Sequence, residues 1–499
     1  MKKAPVRVLR RTLRPVGYVL YGLAVAMLVC ALVGTAFQAV GSWRPGVDDG
    51  GVLSLTVSAG VTAAFGWLLT WLGQSVDMAD FGRRDAILTT AGIWLASGVF
   101  GALPYVVGAG MSPADGLFEA ISGFTTTGAT VVGNIEGTLS RPVLLWRSLT
   151  QWLGGMGIVV LFVAVFPRVG AGGKHMFRAE VPGPKAAGLS PRIGETALWL
   201  YGMYVGLTLL EFVVLMVLGM QPFEAICHSF TTVSTGGFST RDASVGGFDS
   251  AAIEVAIAFF MIAAGVNFGL YYGVLRSRRI GLFFKSSELR AYLLLVALVV
   301  VGLTAFNLEL HDGKILESAR YALFTTGTFI TSTGYGTEDY MAYPHPSLGL
   351  VFLLMWVGGC AGSTAGGIKI ARVVLVLQSL VAQVRRSVRP NVVQVVRMGD
   401  RRVADTLLLE VGAFICLYVA SVGGFTWLLS VMEGVPLGTS FGATLTSISN
   451  MGPAPYHGGT DNFVVYSDPA KLMFSFEMVL GRLEFMTLLA LAVPEVWEP

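Results

Sequence analysis

Four short runs of hydroxyl residues and glycine recur along the 499-residue chain. They are Phe-Thr-Thr-Thr-Gly-Ala-Thr (124–130), Val-Ser-Thr-Gly-Gly-Phe (233–238), Thr-Ser-Thr-Gly-Tyr-Gly (331–336) and Ser-Asn-Met-Gly-Pro-Ala (449–454). Their shared glycines are read as Gly128, Gly236, Gly334 and Gly452, at spacings of 108, 98 and 118 residues. Such runs suit one kind of chemistry. A bare cation is unstable in hydrocarbon, so a pore must replace its water shell with oxygens, and inward-facing backbone carbonyls do this. Glycine permits the backbone angles such a strand needs, and Thr and Ser add hydroxyl oxygens. The candidate ion-binding residues are therefore Thr126, Thr127 and Gly128; Ser234, Thr235 and Gly236; Ser332, Thr333 and Gly334; and Asn450, Met451 and Gly452. One Thr-Gly run between helices is ordinarily a turn or a cap. Four of them, each after a short helix and on one side of a membrane, read as the walls of one pore.

The elements that must hold these runs are membrane helices. The chain is 54% hydrophobic and 13% charged, against about 25% charged for a soluble domain. Apolar stretches of about 20 residues, each long enough to cross the hydrocarbon, recur from end to end. Ten crossings are predicted, near 16–40, 52–73, 86–108, 142–167, 195–219, 250–275, 289–308, 347–381, 404–431 and 469–493. Between them lie four segments too short to span, 113–127, 222–235, 315–333 and 437–451, which read as re-entrant half-helices. The first two share the tetrapeptide Phe-Glu-Ala-Ile, at 118–121 and 223–226. The expected fold is an all-α integral membrane protein: two N-terminal helices (1–84), then helix–pore loop–helix repeats over 85–194, 195–287, 288–402 and 403–499, around one pseudo-four-fold pore.

Basic residues fill alternate connections: Arg83 and Arg84, then Arg168 to Arg192, Arg276 to Arg290, and Arg385 to Arg402. By the positive-inside rule both termini are expected in the cytoplasm, with the four loops entering from outside. No cleavable signal peptide is evident at the basic start. The net charge of +3 lies in short loops and does not point to nucleic acid. Cys30, Cys227, Cys360 and Cys416 show no metal-ligand spacing and are expected to be buried thiols. No cofactor is expected, the only ligand being the cation that is transported, and membrane lipids are expected to surround the chain. No nucleophile or metal constellation is visible, which argues against the alternative of an intramembrane enzyme. A symporter driven by protons or sodium is the other alternative, since broken helices suit transporters too.

The run Gly358, Gly359, Cys360, Ala361, Gly362, Ser363, Thr364, Ala365, Gly366 and Gly367 interrupts the eighth span. Five of its ten residues are glycine, each disfavouring helix by about 1 kcal/mol relative to alanine. It reads either as a mobile loop below the filter or as a close-packing helix surface of small residues. Arg482, with Glu484 nearby, lies in an apolar span, where arginine needs water or a partner. Lys369 and Arg372 are either pore-lining or anchors near the membrane surface. His228 reads as a packed polar residue rather than a proton relay.

The runs 358–369 and 151–157 (Gln-Trp-Leu-Gly-Gly-Met-Gly), with Gly-Arg-Leu-Glu (481–484) and Arg-Ala-Glu-Val-Pro-Gly-Pro (178–184), resemble the Trk-type potassium uptake family, the TrkH/KtrB/HKT superfamily. The resemblance covers essentially the whole chain, and the two extra N-terminal spans are like the TrkH branch. The third loop is also close to the potassium-channel filter Thr-Val-Gly-Tyr-Gly. The resemblance implies potassium uptake across a bacterial inner membrane, a homodimer, and a cytoplasmic TrkA-like ring that binds nucleotides and controls opening. It makes 358–367, with Lys369 and Arg482, the gate. In this superfamily serine at the first filter glycine accompanies sodium permeation; glycine at 128 implies preference for potassium, with rubidium accepted. Ala454 departs from the family's usual glycine.

Overall fold

Apolar composition and capping residues together decide where this chain forms helices. The computed structural model describes residues 4–39, 50–74, 83–157, 193–389, 396–399, 401–453 and 462–494. Residues 158–167 of the fourth expected span, the basic connection 168–192 with its 178–184 motif, and Ala454 lie outside the described residues. Among the described residues, six helices are long and apolar enough to cross a membrane: Arg10–Ala36, Gly51–Leu72, Arg84–Gly108, Ala197–Val217, Ser287–Phe306 and Asp405–Glu433. A seventh candidate is a pair, Ala251–Ala264 and Phe268–Ser277, bent by 86°.

Three expected spans are therefore not continuous. The 250–275 span breaks at Gly265–Asn267, where Asn267 caps the second piece by accepting from Gly269 N at 2.7 Å. The 347–381 span divides into His345–Leu354 and Ile370–Val388 around the glycine-rich run. The 469–493 span ends as a helix at Arg482 and restarts at Glu484. Among the described residues, the all-helical expectation is modified by two-residue strands: Val357–Gly358 pairs in parallel with Ile368–Lys369, and Arg397–Met398 antiparallel with Arg401–Arg402. Cys30, Cys227 and Cys360 are buried as expected, whereas Cys416 is exposed on the apolar surface of its helix.

The four half-helices form where expected: Pro113–Phe124, Pro222–Val233, Ile315–Ile330 and Leu437–Ser449. Two start with proline in the first turn, where its missing N–H is harmless. Ser112 also caps the first, its Oγ accepting from Asp115 N at 3.1 Å.

Ion pairs tie three of these half-helices to their surroundings. Glu119, from the first Phe-Glu-Ala-Ile, meets Arg147 at 2.6 Å, with both side chains buried. The same carboxylate accepts from Thr130 Oγ1 at 3.0 Å and from Val131 N at 3.1 Å. Arg147 also donates to Ser239 O at 3.0 Å and lies 3.4 Å from the centroid of the Phe238 ring. One buried pair thus joins the segments that follow the first and second loops. Glu224, from the second copy of the tetrapeptide, pairs with Arg241 at 2.8 Å. Lys471 of the last long segment reaches Asp115 on the first half-helix at 2.6 Å, and Glu254 reaches Arg320 on the third at 3.4 Å.

Arg147→Ala strands the Glu119 carboxylate inside the protein, and breaking such a pair destabilises by about 3–5 kcal/mol. A marked fall in melting temperature of the purified protein is expected. Glu119→Gln combined with Arg147→Met is expected to recover part of that loss. An unchanged melting temperature for Arg147→Ala would remove this pair from the account of what holds the loops.

Candidate functional site

Each half-helix ends in the same way. At its C-terminus one residue turns into the left-handed region: Thr126 (φ 56), Thr235 (φ 55), Ser332 (φ 54) and Asn450 (φ 53). The N–H of that residue bonds a carbonyl three residues back, at Gly123, Thr232, Phe329 and Ser447 (2.8 to 3.3 Å). The next N–H bonds five residues back: Thr127 to Ser122 at 2.9 Å, Gly236 to Thr231 at 2.8 Å, Thr333 to Thr328 at 2.9 Å and Met451 to Thr446 at 3.0 Å. This is the Schellman cap, which usually carries glycine at the left-handed position. Here no glycine occupies it, and a β-branched or polar residue held there stores roughly 1–3 kcal/mol of strain.

The residue after those two is a glycine with positive φ in every loop: Gly128 (φ 80), Gly237 (φ 78), Gly334 (φ 87) and Gly452 (φ 92). The second loop therefore differs from the sequence reading by one position. The counterpart of Gly128 is Gly237, not Gly236, and the counterparts of Thr126 and Thr127 are Thr235 and Gly236 rather than Ser234 and Thr235. With two adjacent glycines in 233–238, sequence alone did not fix which one takes the left-handed turn.

These glycines pack in a closed cycle. A Cβ on Gly128 would strike the Gly236 carbonyl oxygen, one on Gly237 that of Thr333, and one on Gly334 that of Met451. One on Gly452 would stand 2.8 Å from the Thr127 oxygen. Each glycine thus abuts the residue that precedes the matching glycine of the next loop, in the order first, second, third, fourth, first. Positive φ and lack of space together strain any side chain at these four points, so that neighbouring main chain must shift to admit one.

Side chains outside the cycle hold it. Gln151 Nε2 donates to Gly236 O at 2.7 Å, and Gln151 Oε1 accepts from Phe238 N at 3.1 Å. Tyr335 of the third loop meets Thr231 of the second half-helix at 2.5 Å between hydroxyl oxygens. Asn450 Nδ2 donates to Thr127 Oγ1 at 2.9 Å and to Met478 O at 2.9 Å, linking the fourth loop to the first. His228 is fully buried, with Nδ1 2.8 Å from Glu224 O and Nε2 3.0 Å from Ser239 Oγ, the packed role expected of it.

The glycine-rich run 358–367 is a loop, closed at its neck by the Val357–Gly358 and Ile368–Lys369 bridge. It lies against the C-terminal ends of the half-helices. Thr364 Oγ1 donates to Val233 O at 3.1 Å, the last carbonyl of the second half-helix. Gly366 N donates to Ser332 Oγ at 2.6 Å, and a Cβ on Gly366 would strike Ser449 O. Arg482 comes to the same place. Its guanidinium donates to Thr364 O at 3.0 Å, to Gly154 O at 2.7 Å and to Gly155 O at 2.8 Å. The side chain of Glu484 lies outside the described residues. Lys369 is buried and its Nζ donates to Ala365 O within the loop, while Arg372 stacks 3.9 Å from the centroid of the Phe414 ring. The loop is further held by Glu288, whose Oε1 accepts from Ala361 N at 2.5 Å, and by Gly265 O, which accepts from Cys360 N at 2.9 Å.

The structure therefore brings together all four hydroxyl-and-glycine runs, the glycine-rich run and Arg482. Sequence reasoning missed Arg147, Gln151, Glu119, Glu288 and Tyr335 as the groups that position them. Two signals were available: an arginine inside a membrane segment needs a partner, and the repeated Phe-Glu-Ala-Ile places a carboxylate at the same point of two half-helices.

Known proteins resemble this chain over nearly its whole length. The family of cation transport proteins designated TrkH matches residues 54–498. The Trk system potassium uptake protein TrkH of Halomonas elongata is 36% identical over 98% of this chain and 99% of its own length. The protein of that name from Escherichia coli K12 is 35% identical over 90% of this chain and 93% of its own. The crystal structure of the potassium transporter TrkH from Vibrio parahaemolyticus superposes with a TM-score of 0.86 at 30% identity, covering 98% of this chain and all of that one. With a family match over most of its length and several apolar membrane-length helices, this chain belongs to the TrkH family of cation transport proteins.

Proposed function

We propose that this protein takes potassium into the cell through a pore walled by the four filter runs. The observation that carries the reading is the closed cycle in which each left-handed glycine abuts a carbonyl of the next loop. Four equivalent backbone turns around one axis offer rings of carbonyl oxygens, the ligands that replace a potassium ion's water shell. The half-helices end at this point, so their partial negative charge favours a cation there. The relatives, named as potassium uptake proteins, support potassium as the ion. Gly128 supports preference for potassium over sodium, with rubidium accepted. On this reading the fold is ten crossings: two N-terminal helices and four helix–pore loop–helix repeats, several crossings being broken.

The loop 358–367 is the gate on this reading. It sits against the half-helix ends and is pinned by Arg482, whose positive charge opposes cation passage as well as holding the loop. The relatives are named as parts of a Trk system, which supports an assembly of several components. We read the partner as a TrkA-like nucleotide-binding ring on the cytoplasmic side, the chain as a homodimer in the bacterial inner membrane, and both termini as cytoplasmic, in keeping with the alternating basic connections.

Gly128→Ser forces a side chain against the Gly236 carbonyl. Potassium-over-sodium preference is expected to fall on the order of tenfold, equivalent to about 1.4 kcal/mol. Ion-competition uptake in cells lacking other potassium uptake reads this directly, and unchanged discrimination by a folded variant would reject the assigned filter. Arg482→Ala removes the pin and the charge together. Flux per folded protein is expected to rise several-fold with potassium preference largely intact. Lost thermal stability without any gain in flux would make Arg482 a structural brace only.

A further inference from the structure

The chain from Phe268 to Glu288 holds the glycine-rich loop at both of its ends. At one end Phe268 N donates to Gly362 O at 3.1 Å; at the other, the buried Glu288 carboxylate accepts from Ala361 N at 2.5 Å. Between these contacts run the helix Phe268–Ser277, a left-handed turn at Arg278 (φ 52), and the short helix Gly281–Lys285. This stretch is built unlike an ordinary loop. It carries Arg276, Arg278, Arg279 and Lys285, all exposed, and no acidic residue from Phe268 to Ser287. Arg278, Arg279 and Lys285 make no ion pair among the described residues. Interleaved with them, Leu275, Ile280 and Phe284 are 62%, 69% and 71% exposed.

Exposed apolar side chains alternating with unpaired basic ones suit a segment lying in the headgroup layer of a membrane. Its place in the chain agrees. The segment leads straight into Ser287–Phe306, a membrane-length helix that itself exposes Leu293, Leu294, Leu298 and Val301. A soluble protein surface would leave Ile280 and Phe284 in water, whereas a bilayer interface takes both the rings and the charges.

We propose that residues 275–285 dock on anionic phospholipid headgroups, and that this docking holds the glycine-rich loop in its latched position through Phe268 and Glu288. The proposal rests on the reading of 358–367 as a gate. Each basic residue at an anionic surface changes occupancy by about fivefold. Anionic lipid therefore acts as a brake on flux through the pore.

The test uses the full chain reconstituted in two kinds of vesicle, phosphatidylcholine alone and phosphatidylcholine with one part in three of phosphatidylglycerol. Rubidium tracer flux per folded protein is expected to be lower by about fivefold or more in the anionic vesicles. Arg278→Gln with Arg279→Gln is expected to erase that difference, and Arg278→Lys with Arg279→Lys to keep it. A variant lacking residues 359–366 separates the two readings. If it raises flux in both vesicles while the intact chain is indifferent to lipid, the lipid site is wrong and the gate stands. If the deletion folds and raises flux in neither, the gate reading itself fails. If the glutamine pair retains full lipid dependence and instead loses binding of a soluble cytoplasmic protein, the segment is a protein-docking surface and the proposal is overturned.

Discussion

The structure depends on four contacts between backbone and backbone. Gly128, Gly237, Gly334 and Gly452 each turn left-handed where a carbonyl of the next loop leaves no room for a Cβ. A contact of this kind has no side-chain slack. A methyl group at any of the four must displace main chain, and main chain here is held at the end of a helix by two cap hydrogen bonds. The spacing of the carbonyls is thereby set by helix packing and not by flexible groups, which is what the ion-binding role proposed for them requires. The strain at Thr126, Thr235, Ser332 and Asn450 belongs to the same arrangement, since it is the cap that aims the following strand.

Around this cycle the protein uses buried charge sparingly and locally. Glu119 and Arg147 share one buried site and between them tie the segments beyond the first and second loops. Arg482 uses only backbone carbonyls among its hydrogen-bond acceptors described above, and one of them belongs to the glycine-rich loop. The loop is therefore fixed by several modest contacts from different elements: Glu288, Gly265, Phe268, Val233, Ser332 and Arg482. The contacts of this segment are thus spread over several elements, in contrast to those of the four glycine turns, which are mutual and cyclic.

Much of this was legible in the sequence because it rests on local chemistry. The four half-helices begin at the expected residues, and the glycine-rich run forms a loop, one of the two readings that its five glycines in ten residues left open. What was not legible depended on three dimensions. The choice of Gly237 over Gly236 is made by the Thr333 carbonyl of another loop, about a hundred residues away in the chain. The break at Gly265–Asn267 falls inside a stretch whose composition alone reads as continuous membrane helix. Cys416 looked buried because apolar segments are, but its helix turns that face outward. The partners of Arg147 and Arg482 are likewise supplied by elements distant in sequence.

On the function proposed above, this cycle of loops is by itself a selective, passive path for potassium. The most direct measurement is the zero-current potential of the purified chain alone in planar bilayers, taken with opposing potassium and sodium gradients at fixed and then varied pH. The account predicts that the potential follows the potassium equilibrium potential and stays put when the proton or sodium gradient is changed. A potential that moves with the proton or sodium gradient at constant potassium would contradict it, and would make this protein a coupled transporter.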